Sequence, residues 1–166
     1  MDQTHRIFLV DDDTKHLLLL KDFLERQSPY TLDIKLFSSG ENCLDKLDEY
    51  PEIVVLDYHL DGIRPGASNG LEILKELRKR RPEADVIMMS SQDQLQVGLN
   101  TLEFGATDYV IKGETALLRA ELVIRRILER KAAERFRQAQ TLQLRWLYAA
   151  LAVTGLIIIG LAVFAI

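Results

Sequence analysis

Three aspartates, a serine and a lysine stand where short apolar runs end, and together they have the composition of a phosphoryl-transfer site. Asp57 closes Ile53-Val54-Val55-Leu56. Asp11 and Asp12 close Ile7-Phe8-Leu9-Val10, Ser90 closes Val86-Ile87-Met88-Met89, and Lys112 follows Asp108 to Ile111. Carboxylates brought into one place repel one another and raise their own pKa values unless a cation neutralises them. Mg²⁺ suits such a group, because it takes oxygen ligands, keeps several waters and partners phosphate. A carboxylate is also a nucleophile toward phosphorus, giving an acyl phosphate. In that scheme Asp57 is the phosphoacceptor, with Asp11 and Asp12 holding the cation beside it. The Ser90 hydroxyl and the Lys112 ammonium steady the phosphoryl oxygens. Taken singly, each has a plainer use: Asp11 to Asp13 as a helix cap, Ser90 in a turn, Lys112 as a surface charge. Their arrival at successive strand ends is what argues for a joint role.

The elements that must position them follow from the apolar pattern. Ile53 to Leu56 reads as a strand buried on both faces, since it shows no polar alternation. Leu32 to Phe37 alternates, as a half-exposed edge strand does. Helices are expected over Thr14 to Gln27, with Leu17, Leu20, Phe23 and Leu24 inward, and over Ser39 to Glu49, packing through Cys43, Leu44 and Leu47. A turn-rich loop over Asp61 to Asn69 leads into a helix Gly70 to Arg80, capped by Asn69 and packed through Leu71, Leu74 and Leu77. Leu95 to Phe104 is a further helix ended by Gly105, and Thr115 opens a last one with no breaker before Gly155. Five strands alternating with helices predict an α/β fold, a doubly wound, five-stranded parallel sheet of flavodoxin-like order 2-1-3-4-5 with helices on both faces. In that order the ligand crevice lies between the first and third strands, where Asp11 and Asp12 meet Asp57, with Ser90 and Lys112 on the same rim.

Composition narrows the function classes. Residues 1–113 carry 13 Lys+Arg against 21 Asp+Glu, whereas residues 114–166 carry 8 against 4. The acidic body argues against nucleic-acid binding. The one cysteine, Cys43, excludes an internal disulfide and reads as a packing residue. A metal-dependent phosphatase on a similar sheet would need a further general acid in a suitable motif, and none is seen.

These motifs resemble the receiver domain of two-component response regulators. The resemblance rests on Val10-Asp11-Asp12-Asp13, Leu56-Asp57, Ser90-Ser91 and Gly105-Ala106-Thr107-Asp108-Tyr109-Val110-Ile111-Lys112, and covers residues 5 to about 128. It implies that Asp57 accepts a phosphoryl group from a histidine kinase or phosphotransfer protein. It further implies that Asp11, Asp12, Asp57 and the backbone carbonyl of His59 arrange Mg²⁺, that Ser90 and Lys112 contact the phosphoryl group, and that Tyr109 is the aromatic switch. Two departures stand out. The loop through Ile63-Arg64-Pro65-Gly66-Ala67 is longer than is usual in the family, and Gly113 occupies the position where the family has a proline after a cis peptide. A cis bond before a non-proline residue costs about 3–4 kcal/mol, so trans is expected here.

The output differs too. The family often carries a DNA-binding domain after the receiver; here the expectation is instead that residues 129–146 form a basic amphipathic helical linker after a receiver domain of residues 1–128. Ile124, Leu128, Ala132, Phe136, Ala139, Leu142 and Trp146 recur at helical spacing. They suit a stalk, with a second copy of the chain as a candidate partner, or a helix lying on anionic headgroups. Residues 147–166 carry no charge and span roughly 30 Å as a helix, one hydrocarbon thickness. Trp146 and Tyr148 stand at the entrance with Arg145 before them, as interfacial anchors and positive cytoplasmic flanks do. The expectation is a single-pass anchor in a bacterial inner membrane, with the receiver on the cytoplasmic side. The whole reads as a phosphorylation switch and not an enzyme, acting on a downstream protein that the sequence leaves unidentified. The competing reading is a degenerate receiver, a membrane-anchored adaptor that never carries phosphate.

Overall fold

The computed structural model describes residues 3–60, 69–91, 98 and 101–164, with side chains beyond residue 148 described only at 151 and 154, and not at 142. It divides into two compact units, residues 1–125 and 126–166. In the first, β1 (His5–Val10), β2 (Leu32–Phe37), β3 (Ile53–Asp57), β4 (Asp85–Ser90) and β5 (Asp108–Ile111) form one parallel sheet in the order β2-β1-β3-β4-β5. This is the expected flavodoxin-like arrangement. The crevice therefore falls between β1 and β3, and it is their register, Val10 opposite Leu56, that brings the two acidic ends level.

The central strands read as they pack. All residues of β3 and β4 are buried, whereas β2, at the sheet edge, is half-buried along its whole length. Asp13 caps α1 (Thr14–Gln27), its carboxylate accepting the Lys15 and His16 amides. Of the four leucines 17–20, helix geometry buries Leu17 and Leu20 and leaves Leu18 and Leu19 on the surface. A full capping box, Asn69 with Glu72, opens α3 (Gly70–Arg80). Here Ile73 joins Leu74 and Leu77 in the core while Leu71 is half-buried.

The helix expected over 39–49 breaks in two. Ser39 caps a short α2 (Gly40–Leu44), and a 3₁₀ turn follows at Leu47–Glu49. The Arg81 guanidinium donates to the Leu47 carbonyl at 2.9 Å, and Tyr50 turns left-handed at φ 57° over that same arginine. Tertiary contacts from the far end of α3 thus override the helical periodicity. The loop over 61–68 and half of the helix expected over 95–104 lie outside the described residues; Gly98 and residues 101–103 are helical.

The last helix, α4, runs from Ala116 to Phe164. Its first turns belong to the receiver unit through buried Ala116, Ala120 and Ile124. In the second unit Phe136, Trp146 and Tyr148 are exposed, as are Arg130, Arg135, Arg137 and Arg145. A transmembrane span over 147–166 gains no support from this structure: among the described residues no helix is long and apolar enough to cross a membrane. The described side chains of α4 remain charged down to Arg145 and continue only through Trp146, Leu147, Tyr148, Leu151 and Thr154. A crossing needs about 20 apolar residues.

Candidate functional site: an acidic pocket bridged by a lysine

At the carboxyl edge of the sheet, one oxygen from each of Asp11, Asp12 and Asp57 lies within 4.8 Å of the other two. Asp11 and Asp57 are each only 4% exposed, so two of these acids are held away from bulk water. The third member of the acidic run does different work: Asp13 is exposed and occupied by its helix cap. The same turn fixes Asp11, whose Oδ1 accepts the Asp13 amide at 2.9 Å. One Asp-Asp-Asp run thus supplies two pocket acids and the cap that orients them.

Lys112 bridges the pocket. Its Nζ donates to Asp11 Oδ2 at 2.7 Å and lies 3.0 Å from Asp57 Oδ1. The second contact is an ion pair, and among the described residues no donor is aligned for a hydrogen bond to the buried Asp57 Oδ1. The peptide to Gly113 is trans, as expected, and the lysine still enters the pocket. Its backbone amide donates to the Ser90 carbonyl at 2.7 Å, which locks the ends of β4 and β5 together. Ser90 is fully buried at that rim.

Electrostatics separates the carboxylates. Burial pushes the Asp57 carboxyl up; Lys112 pulls it back, but nearby Asp11 and Asp12 add to the rise. Burial also acts upward on Asp11, yet His16, Lys112 and the Asp13 amide outweigh it and hold that carboxyl below its usual value. Lys112 is raised, because the two acids more than offset its own burial. A poorly satisfied, desolvated carboxylate beside a fully satisfied one is what a nucleophile next to a charge-holding partner requires.

The donor set fits a hard divalent cation. It is all oxygen, it carries more negative charge than Lys112 alone neutralises, and its spacing suits an ion that retains waters. His59 lies two residues past Asp57, on the same exit from β3, with its ring edge-on to Tyr58. Tyr109 sits half-buried in β5, packed on the core cluster that contains Met88, with its ring facing Gly98. Beside Lys112 a cavity of about 400 Å³ opens between Asp13, His16 and Leu19 of the α1 region and the segment Gly113 to Leu117.

Two features escaped the sequence reading. His16 Nδ1 lies 2.6 Å from Asp11 Oδ2; the only signal for it was its place in the first turn after the Asp13 cap. Gly70 donates its amide to the Tyr58 carbonyl, and a Cβ at Gly70 would sit 2.1 Å from the Asp57 carbonyl oxygen. Only a residue without a side chain lets α3 begin so close to the acceptor strand.

The comparisons with known proteins agree with this geometry. The profile of the response regulator receiver domain matches residues 7–142. Curated relatives include the transcriptional regulatory protein MalR of Bacillus subtilis, 35% identical over 107 residues, covering 64% of this chain and 43% of that protein. The photosynthetic apparatus regulatory protein RegA of Rhodobacter capsulatus is 30% identical over 106 residues, covering 64% of this chain and 54% of that protein. The chain thus spans about half the length of these relatives. Among solved structures, the BeF₃-activated DrrB receiver domain superposes with a TM-score of 0.64 at 28% identity, covering 76% of this chain and 99% of that one. The NtrX receiver domain of Brucella abortus gives a TM-score of 0.64 at 27% identity, covering 74% and 98%. With its sheet order, its acidic pocket and a family match over most of its length, the chain belongs to the response regulator receiver domain family.

Proposed function

We propose that this chain is a phosphorylation-dependent signalling switch, tethered to a membrane and phosphorylated on Asp57. The observation that carries the reading is the pocket itself: three acids at the ends of two strands converge around one lysine, and among the described residues no donor is aligned on the buried Asp57 oxygen. A bond forms between an Asp57 carboxylate oxygen and phosphorus as the phosphorus–nitrogen bond of a phosphohistidine on the donor breaks. The donor is a histidine kinase or a phosphotransfer protein. Asp11, Asp12, Asp57 and the His59 carbonyl would hold Mg²⁺, which would supply charge neutralisation for the entering phosphoryl group. Lys112 exchanges its carboxylate partners for phosphoryl oxygens, Ser90 donates its hydroxyl, and Tyr109 follows Ser90 inward. The cavity beside Lys112 gives the donor an approach bordered by exposed Leu19.

The product of the reaction is the phosphorylated protein itself, so the chain acts as a switch and not as a turnover enzyme. Its output is contact with a downstream protein, or service as a phosphate relay. The uncharged stretch 147–166, entered past Arg145, Trp146 and Tyr148, supports a single-pass anchor in a bacterial inner membrane with the receiver on the cytoplasmic side. The basic linker 129–146 joins the two. Incubation with acetyl phosphate tests the switch. Phosphorylation that needs Mg²⁺ and is lost in Asp57→Asn supports it. A wild-type chain that stays inert under those conditions makes it an adaptor instead.

A further inference from the structure

Among the described residues, the Asp11 carboxylate holds more donors than those of Asp12 and Asp57. Oδ1 accepts the Asp13 amide, while Oδ2 receives both Lys112 Nζ at 2.7 Å and His16 Nδ1 at 2.6 Å. A carboxylate only accepts, so His16 Nδ1 carries the proton in that contact. The two donors on Oδ2 differ in what else they must do. Lys112 also faces Asp57 and is the pocket's ammonium for an incoming phosphoryl group, so it cannot stay on Asp11 throughout. His16 has no such second duty, and its backbone is fixed in the first turn of α1 by the Asp13 cap. Its side chain is 18% exposed, so the contact is sheltered enough to persist.

We propose that His16 is a positioning residue for the cation site: it holds the Asp11 carboxylate turned toward Asp12 and Asp57 when Lys112 leaves it. Partners that hydrogen-bond metal ligands from behind fix their orientation, and their loss typically costs about 10–100-fold in metal affinity. The inference rests on the reading of the pocket as a divalent-cation site, and adds to it a residue outside the three acids. Nothing in it requires His16 to touch the metal.

The test uses the full-length chain in detergent and Mn²⁺ as the probe, with free ion counted by electron paramagnetic resonance. His16→Phe keeps an aromatic ring and removes the donor; His16→Asn keeps an N–H one bond from Cγ, where Nδ1 stands. The expected result is Mn²⁺ affinity weakened about 10–100-fold in His16→Phe and restored to within about threefold of wild type in His16→Asn, with all chains melting alike in EDTA. Should the phenylalanine variant melt early, His16→Met serves the same comparison. Equal or tighter Mn²⁺ binding once the donor is removed overturns the inference while leaving the cation site standing. A wild-type chain that takes up no Mn²⁺ removes the cation site itself, and the inference with it.

Discussion

Replacing Lys112 by methionine isolates the electrostatic balance of the pocket. At an effective dielectric of about 20, a unit charge pair near 3 Å attracts by roughly 5 kcal/mol, and Lys112 makes two such contacts, at 2.7 and 3.0 Å. Most of that gross attraction is offset by the cost of withdrawing the ammonium from water. Breaking a buried pair from one side costs about 3–5 kcal/mol. The lysine side chain is 21% exposed, so solvent screening brings the expected loss to about 2–3 kcal/mol. For a receiver unit of this size, that lowers the melting temperature by roughly 6–15 °C. Calorimetry in EDTA reads the loss directly. Because Lys112 and a divalent cation neutralise the same acids, Mg²⁺ should raise the melting temperature of Lys112→Met by more than that of wild type, closing most of the gap. Equal melting of the two chains in EDTA refutes the reasoning. A gap that Mg²⁺ leaves untouched refutes it too, since lysine and cation would then not share ligands.

Further outcomes follow from the same contacts. Asp11 is held below its ordinary value of 3.8, so the stability it contributes is present above that pH and lost as pH falls through its lowered value. Lys112 is held above 10.5, so its contribution is present below that pH and lost as pH rises through its raised value. The stability gap between wild type and Lys112→Met in EDTA should therefore narrow on both sides of a broad neutral plateau; a gap that widens in acid contradicts the assignment. Gly70→Ala should cost about 1–3 kcal/mol or more, because the new Cβ meets the Asp57 backbone. It should also impair phosphorylation; urea unfolding and acetyl phosphate labelling read the two effects. For the tether, flotation with vesicles after carbonate washing should retain the full chain and release one truncated before residue 147. Equal release of both counts against an anchor.

The strands and their order were legible because burial leaves a plain mark. Ile53 to Leu56 and Val86 to Met89 show no alternation, which only a sheet covered on both faces permits, and short apolar runs ending in acids place those acids at one edge. Less legible was the division of labour within Asp11-Asp12-Asp13. All three are equally acidic on paper, and only the backbone turn decides that Asp13 faces the α1 amides while Asp11 and Asp12 face the pocket. His16 was invisible for the same reason: its partner lies five residues back, across the cap. The broken helix over 39–49 failed because Arg81, distant in sequence, takes the Leu47 carbonyl. Gly113, in place of the family's proline, offers no local reason for Lys112 to enter the pocket. The Ser90 carbonyl, holding the Lys112 amide, positions the lysine through a sheet contact that the local sequence does not display.

The most direct measurement is the site of the covalent bond. The full chain, phosphorylated with Mg²⁺ present, is reduced with borohydride, which converts an acyl phosphate to an alcohol, and its peptides are then mapped by mass spectrometry. The account predicts homoserine at position 57 and at no other aspartate. Reduction at Asp11 or Asp12, or phosphate carried on a histidine or serine with position 57 unchanged, contradicts it.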